Sequence, residues 1–114
     1  MNENMEYKII DNNDMAIVTL KGKISRNAKS IFVECKNELF ESHSKVIILY
    51  FKDVTGIEHV ALRDLVILQH ELRKNNQRVF ITGLTSALKK DLSEKGAIRL
   101  DEIRANLEEA LKLL

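Results

Sequence analysis

The sequence predicts an α/β domain in which a mixed β-sheet is packed with about four α-helices, and three observations support this prediction. The N-terminal part holds two short apolar runs separated by turn-forming residues, which is typical of a β-hairpin. The run Val46–Phe51 is apolar at nearly every position, as in a strand that helices cover on both faces. After the hairpin, strand patterns alternate with helix patterns, which indicates a sheet with helices packed on it. We expect one domain over residues 1–114.

The first half of the chain is predicted to form a hairpin and then a helix. The hairpin strands are Tyr7–Ile10 and Ala16–Leu20, because they flank the turn-forming run Asp11–Asp14. Ser25 is the expected N-cap of a helix over Asn27–Ser42. The apolar residues of this helix recur at spacings of three and four: Ala28, Ile31, Phe32, Cys35, Leu39 and Phe40.

A second helix is predicted over His59–Lys74, after the strand Val46–Phe51 and a short polar break. At 100° per residue, one narrow stripe of this helix is apolar and should face the sheet: Ala61, Leu62, Leu65, Leu68 and Leu72. Val60 and Ile67 fall nearly opposite that stripe, so both should point outward among charged residues. They are either isolated surface aliphatics, which need no explanation, or part of a partner-binding face.

The last third of the chain is predicted to hold a strand, two further helices and a short additional strand. The strand Arg78–Thr82 follows the polar turn Asn75–Gln77 and is closed by Gly83. Thr85 or Ser86 is the expected cap of a helix that ends at Gly96. A short strand is predicted over Ile98–Ile103. Asn106 with Glu109 is expected to form a capping box that opens the last helix, Leu107–Leu114.

Composition and residue spacing argue against several classes of function. Lys and Arg number 18 against 17 for Asp and Glu, so no overall field would attract nucleic acid. No apolar run reaches the ~18 residues that span a bilayer, and the N-terminus is too polar for a signal peptide. His43, His59 and His70 lack ligand spacing, and Cys35 falls on an apolar helix stripe. We therefore expect a cytoplasmic, non-catalytic protein without metal or cofactor.

The stretch VIILYFKDVTGIEHVAL, from Val46 to Leu62, resembles the central segment of the STAS domain. That family includes bacterial anti-sigma factor antagonists and the tails of sulfate transporters. In the family a buried strand and a turn lead to Asp-Ser-Ser/x-Gly-Leu at a helix start. A second resemblance stands near the end of the chain, where Glu109-Ala110-Leu111 matches the family's closing Glu-Ala-Leu. The resemblance covers nearly the whole chain and implies a STAS-like fold.

The resemblance places a histidine at the family's switch position. Glu58 takes the place of the Asp, and His59 that of the serine which a partner kinase phosphorylates; Ala61 and Leu62 follow in the places of Gly and Leu. Because histidine has no hydroxyl, the usual phosphorylation switch is predicted to be absent. Thr55 is the nearest hydroxyl, and it is interpreted as a turn residue or as an alternative phospho-acceptor. A register that uses Asp53–Gly56 as the motif leaves too few residues between strand and helix.

The resemblance implies a protein that binds other proteins. The expected partner is a kinase-like anti-sigma factor or another STAS protein, which would make the chain a bacterial regulator of transcription or signalling. The predicted partner-binding residues lie at or near the start of the second helix: Glu58, His59, Val60, Arg63, Ile67 and His70. The alternative is a soluble STAS subunit of a membrane transport system. An enzyme or small-molecule binder is the third interpretation, and it has the least support.

Overall fold

The structure, a computed structural model, describes residues 5–12 and 14–112. The described residues form four strands and four α-helices in the order β1 (Glu6–Asn12), β2 (Met15–Ile24), α1 (Ala28–Glu41), β3 (Val46–Ile57), α2 (Leu62–Lys74), β4 (Arg78–Thr82), α3 (Ser86–Glu94) and α4 (Leu107–Leu111). Two 3₁₀ helices, His59–Ala61 and Leu100–Glu102, precede α2 and follow α3. The predicted fold class, an α/β domain with about four helices, is confirmed.

The four strands form one mixed sheet in the order β1-β2-β3-β4. β1 and β2 are antiparallel, with Ile9 opposite Val18, and this pairing confirms the predicted hairpin. β3 runs parallel to β2 on one side and to β4 on the other. Since parallel neighbours must be joined by crossovers, α1 and α2 provide the connections, as the alternating sequence pattern predicts.

The sheet is covered on both faces, with most of the core on one of them. On that face the buried residues of β2 and β3 pack with α1, α2 and α3; they include Val18, Leu49, Cys35, Leu65 and Leu92. On the opposite face a smaller cluster joins α4 to the sheet: Met15, Val46, Ile48, Phe80 and Ala110. β3 therefore contributes apolar side chains to both faces, which is the physical reason for its unbroken apolar run.

The central strands are longer than the sequence predicts. β2 extends beyond Leu20 to Ile24, and β3 extends beyond Phe51 to Ile57. The predictions were wrong because they followed the apolar runs, whereas the two strands continue to pair through polar residues such as Lys21 with Asp53. The register shifts twice over this extension, which is typical of β-bulges that bend a strand.

Two helix starts and one short strand differ from the predictions. α1 begins at Ala28 with Asn27 at the N-cap, so the prediction of Ser25 as the cap is wrong. Ser25 instead uses its backbone carbonyl, which accepts from the Ala28 amide at 2.9 Å. The first turn of the helix predicted over His59–Lys74 is 3₁₀ rather than α. In place of a strand at Ile98–Ile103 there is a 3₁₀ helix with a single bridge between Ile81 and Ile103.

The predicted N-cap residues of the last two helices are confirmed, but the Glu109 carboxylate that would complete the capping box accepts from Lys112 Nζ instead, at 3.2 Å. The hydroxyl of Thr85 accepts from the Leu88 amide at 3.1 Å, and the side chain of Asn106 accepts from the Glu109 amide at 2.9 Å. α3 ends at Glu94, and Gly96 just beyond it has a positive φ of 68°, where glycine is favoured. The end of the helix predicted to reach Leu114 lies outside the described residues.

Candidate functional site

All six residues predicted to bind a partner are exposed on or next to α2, and we call this surface the α2 face: Glu58, His59, Val60, Arg63, Ile67 and His70. Val60 is 61% exposed and Ile67 is 44% exposed, so the prediction that both point outward is confirmed. The core stripe of the helix is also confirmed, because Ala61, Leu62, Leu65, Leu68 and Leu72 are all buried.

The backbone fixes the start of the α2 face against the sheet. Glu58 has an extended conformation, and its amide donates to the carbonyl of Ile24 at the end of β2 over 2.8 Å. The amide of Ala61 then donates to the Glu58 carbonyl at 2.9 Å and closes the 3₁₀ turn. The Glu58 side chain makes no capping hydrogen bond to this turn, so its carboxylate is directed to solvent at the exposed helix start.

The α2 face is not a single compact patch, because its later residues lie on different sides of the helix. Ile67 lines an apolar recess of about 60 Å³ against α1. His70 lines another recess, of about 230 Å³, against the segment Gly96–Arg99. Glu58, His59, Val60 and Arg63 therefore form the compact part of the surface, while Ile67 and His70 extend it along two edges of α2.

Sequence reasoning did not identify the contribution of α1 to this surface. In the apolar recess, Ile67 is joined by Phe32 and by Val33, and the exposed Val33 continues the apolar surface beyond α2. Lys29 and Lys36 also line this recess and give its α1 side a positive charge. No local signal could have revealed this, because the packing of α1 beside α2 depends on how the sheet orders its crossovers.

Thr55 occupies a strand rather than the turn that the sequence suggested. It lies in the last part of β3, which extends to Ile57, and its side chain is exposed. In the register with β2, Gly22 pairs with Val54 and Lys23 pairs with Gly56, so Thr55 is the extra residue of a bulge. The interpretation as a turn residue is thus wrong, and its use as an alternative phospho-acceptor stays a prediction.

Burial determines the chemistry of Cys35, the one cysteine of the chain. Cys35 is fully buried as predicted, and burial, with the nearby carboxylates of Glu38 and Glu34, raises the pKa of its thiol to about 12. A neutral buried thiol is a poor nucleophile. Among residues 5–12 and 14–112, no three His, Cys, Asp or Glu side chains are grouped so that they could hold a metal ion.

Comparison with models of known protein families gives a match to the sequence of this chain. The model of the STAS domain matches residues 4–110, which is nearly the whole chain. The chain belongs to the STAS domain family. This membership confirms the resemblance that the segment Val46–Leu62 suggested. No curated protein matches the sequence significantly.

Solved STAS structures match the fold over most of their length. A sulfate transporter family protein from Wolinella succinogenes has a TM-score of 0.77 at 18% identity, with 90% of this chain and 86% of that chain covered. An anti-sigma factor antagonist from Mycobacterium paratuberculosis has a TM-score of 0.77 at 15% identity, with 98% and 95% covered. The Bacillus anti-sigma factor antagonist SpoIIAA, unphosphorylated, has a TM-score of 0.75 at 15% identity, with 94% of each chain covered.

These similarities are low in sequence and show the fold alone. The same STAS fold is found in anti-sigma factor antagonists and in a sulfate transporter family protein, so the fold does not separate the two roles. Within the described part of the chain, no helix has the length and apolar character that crossing a membrane requires.

Proposed function

We propose that this STAS protein is a non-catalytic interaction module that binds a protein partner through the α2 face, in the manner of an anti-sigma factor antagonist. The observation that supports this proposal most directly is the exposure of Val60 beside Glu58 and His59, at the position of the family's switch motif. An apolar side chain that is largely in water gains free energy when a partner covers it. The surrounding charges would then determine which partner is accepted.

The binding proposed here does not depend on phosphorylation at the family's serine position. His59 cannot accept a phosphate as a serine hydroxyl does, so binding is constitutive or is set by competition and abundance. The purified chain should stay unmodified at His59 and Thr55 when it is incubated with its partner kinase and ATP, as measured by mass spectrometry. A phosphate on either residue would contradict this part of the proposal.

Two substitutions test the α2 face with a matched change of charge. Val60→Asp alters the proposed face, while Leu100→Asp alters a residue of similar exposure, 61% against 67%, on the 3₁₀ helix Leu100–Glu102. The partner is first captured from native extract with the wild-type chain, identified by mass spectrometry, and then purified. Its dissociation constant is measured by calorimetry against the wild type and both variants.

The expected result is that Val60→Asp weakens binding by about tenfold or more, because an apolar contact in an interface is replaced by a desolvated charge. Leu100→Asp should leave the dissociation constant unchanged. Equal affinities for the two variants would show that the partner binds elsewhere. The double variant His59→Glu with Arg63→Glu should also lose the partner, since it removes the positive charge of Arg63 and adds two carboxylates beside Val60.

A second candidate function is that of a subunit associated with a membrane transport system. The structural similarity to the Wolinella succinogenes sulfate transporter family protein favours it. The capture experiment separates the two functions by the identity of the protein recovered. A kinase-like anti-sigma factor supports the first function, and a component of a transporter supports the second. A transporter or sigma-factor gene beside the gene for this protein would give the same distinction.

A further inference from the structure

A basic cleft lies at the end of α2 that is remote from the α2 face. α2 begins after His59 and ends at Lys74, just before β4 starts at Arg78. At 1.5 Å per residue, this helix separates the two ends by about 20 Å. Two adjoining recesses, of about 420 and 670 Å³, share Arg78 as part of their walls. We call them together the Arg78 cleft.

The Arg78 cleft concentrates positive charge in a chain that is nearly neutral overall. Its walls carry four cationic side chains, Lys45, Arg73, Arg78 and Arg104, against the two carboxylates of Asp101 and Glu102. Arg73 Nε donates to Glu102 Oε2 at 3.0 Å, and a second contact joins the same two side chains. The carboxylate of Glu102 is therefore already matched by Arg73, which leaves Asp101 as the other carboxylate in walls that also hold Lys45, Arg78 and Arg104.

Two guanidinium groups of this cleft are stacked on one aromatic ring. The guanidinium carbon of Arg78 lies 4.9 Å from the centroid of the Phe80 ring, and that of Arg104 lies 4.6 Å from it. Since both distances end at one centroid, the two carbons are no more than about 10 Å apart. Phe80 is buried between the sheet and α4, so the ring is a fixed platform for both cations.

Backbone carbonyls hold one of the two guanidinium groups in place. Arg104 Nη1 donates to the carbonyls of Asp101 and Ile103 at 2.9 and 3.0 Å, which leaves its other N–H groups for a ligand. Within the described residues, neither Arg78 nor Arg104 forms an ion pair with a carboxylate. Both guanidinium groups line the same recess, and an anion bound in that recess offsets the repulsion between the two cations.

We propose that the Arg78 cleft binds a phosphate group, to which the guanidinium groups of Arg78 and Arg104 in its walls donate hydrogen bonds. The planar fork of a guanidinium matches two oxygens of a phosphate, and stacking on Phe80 fixes the orientation of both forks before the ligand arrives. Lys45 in the adjoining recess can neutralise a second phosphate. Because the cationic lining extends from Arg104 to Lys45, the ligand we assign is a diphosphate or the phosphate-bearing end of a larger molecule.

The test uses the full-length chain and two sources of phosphate. In the first arm, sodium pyrophosphate is titrated into ¹⁵N-labelled protein at constant ionic strength, and the backbone amide shifts are recorded. In the second arm, sedimentation measures binding to phosphatidylcholine vesicles with and without phosphatidylglycerol. Arg78→Gln and Arg104→Gln remove one guanidinium each. Arg26→Gln makes the same charge change at an exposed site between β2 and α1 and is the control.

The expected result is saturable binding in at least one arm that both cleft variants weaken about tenfold or more and Arg26→Gln does not change. Pyrophosphate shifts centred on Phe80 and Arg104 identify a free phosphate compound as the ligand type. Binding only to the phosphatidylglycerol vesicles identifies a lipid headgroup. Absence of binding in both arms overturns the proposal, and so does an equal loss in Arg26→Gln and Arg78→Gln. The amide spectra of the variants report in the same experiment whether each has folded.

Discussion

The side-chain amide of Gln77 donates a hydrogen bond to the backbone carbonyl of Leu39 over 3.0 Å, and it thereby ties the turn before β4 to the last turn of α1. The same nitrogen donates to the carbonyl of Ser44 at 2.9 Å. The Gln77 side-chain oxygen accepts from Asn75 at 3.1 Å, so the buried amide is bonded on both sides. Carbonyls at a helix end have no partner within the helix, and here a side chain from another element bonds one of them.

Gln77→Leu should lower the free energy of unfolding by about 1–3 kcal/mol, because it removes two donated hydrogen bonds from a buried site. Urea denaturation followed by circular dichroism measures the change. Asn37→Leu, at an exposed position of α1, should change it by less than about 0.5 kcal/mol. Equal effects of the two substitutions would show that the buried amide does not stabilise the junction between α1 and β4.

Gly83→Ala should destabilise the protein more than Gly96→Ala. Both glycines have positive φ, 84° and 68°, so alanine at either costs about 1–2 kcal/mol in backbone strain. A methyl group at Gly83 would in addition lie 2.7 Å from the backbone nitrogen of Lys52, whereas nothing lies within 4 Å at Gly96. The added clash should cost a further 1–3 kcal/mol, roughly. Urea denaturation measures the free energy of unfolding of both variants, and equal values for Gly83→Ala and Gly96→Ala would contradict this prediction.

Protein stability should fall as the pH rises above 9, in part because of Cys35. Burial raises the pKa of this thiol from 9.0 to about 12, so above pH 9 the unfolded chain loses a proton that the folded chain keeps. The free energy of unfolding then declines by up to about 1.4 kcal/mol per pH unit from this group. The pKa of Tyr7 is also raised, by desolvation first and then by its hydrogen bonds to Glu38 and Glu34, and it adds to the decline.

Cys35→Ala isolates the contribution of the thiol to this pH dependence. The variant should be less stable near pH 8, because it leaves a small cavity, but its stability should decline less steeply between pH 9 and 11. Val18→Ala, which also shortens a buried side chain, should give a curve parallel to the wild type. Urea denaturation at several pH values supplies the slopes. Identical slopes for all three proteins would show that Cys35 does not keep its proton in the folded state.

Glu102→Gln should destabilise the protein more than Asp91→Asn. The Arg73 and Glu102 side chains are 21% and 14% exposed and connect α2 to the 3₁₀ helix Leu100–Glu102. The ion pair between Asp91 and Lys95 is more open, with the two side chains 45% and 42% exposed. Loss of the partly buried pair should cost about 1–3 kcal/mol, and loss of the open pair less than about 1 kcal/mol. Chemical denaturation in low-salt buffer compares the two variants.

The secondary structure followed the sequence where one local signal dominated. Thr85 and Asn106 cap their helices as predicted, because a side-chain oxygen at an N-cap bonds amides only three residues away. The buried stripe of α2 also followed from helical periodicity alone. The extensions of β2 and β3 could not be predicted, because residues such as Lys21 and Asp53 are in strands only through their pairing with each other.

For the candidate sites too, the sequence predicted the features that depend on one element and missed those that depend on several. The exposure of Val60 and Ile67 follows from their angular position on a helix, so the sequence predicted it. The recess between α1 and α2, the bulge at Thr55 and the Arg78 cleft join residues from separate elements. None of these could be read from one segment, since the order of the strands determines which elements become neighbours.

By itself, the sequence determined the α/β class and the STAS family, because periodicity and motif residues are local properties of the chain. Only the tertiary structure decided that Ile67 lies against α1 and His70 against the segment Gly96–Arg99, and that Arg78 and Arg104 meet on Phe80. Arg104 follows Arg78 by 26 positions, with α3 in between, and nothing in that spacing brings the two together. The Arg104 amide donates to the Ile81 carbonyl at 2.8 Å. This hydrogen bond places the segment around Arg104 beside β4, and it thereby brings the guanidinium groups of Arg78 and Arg104 to the Phe80 ring.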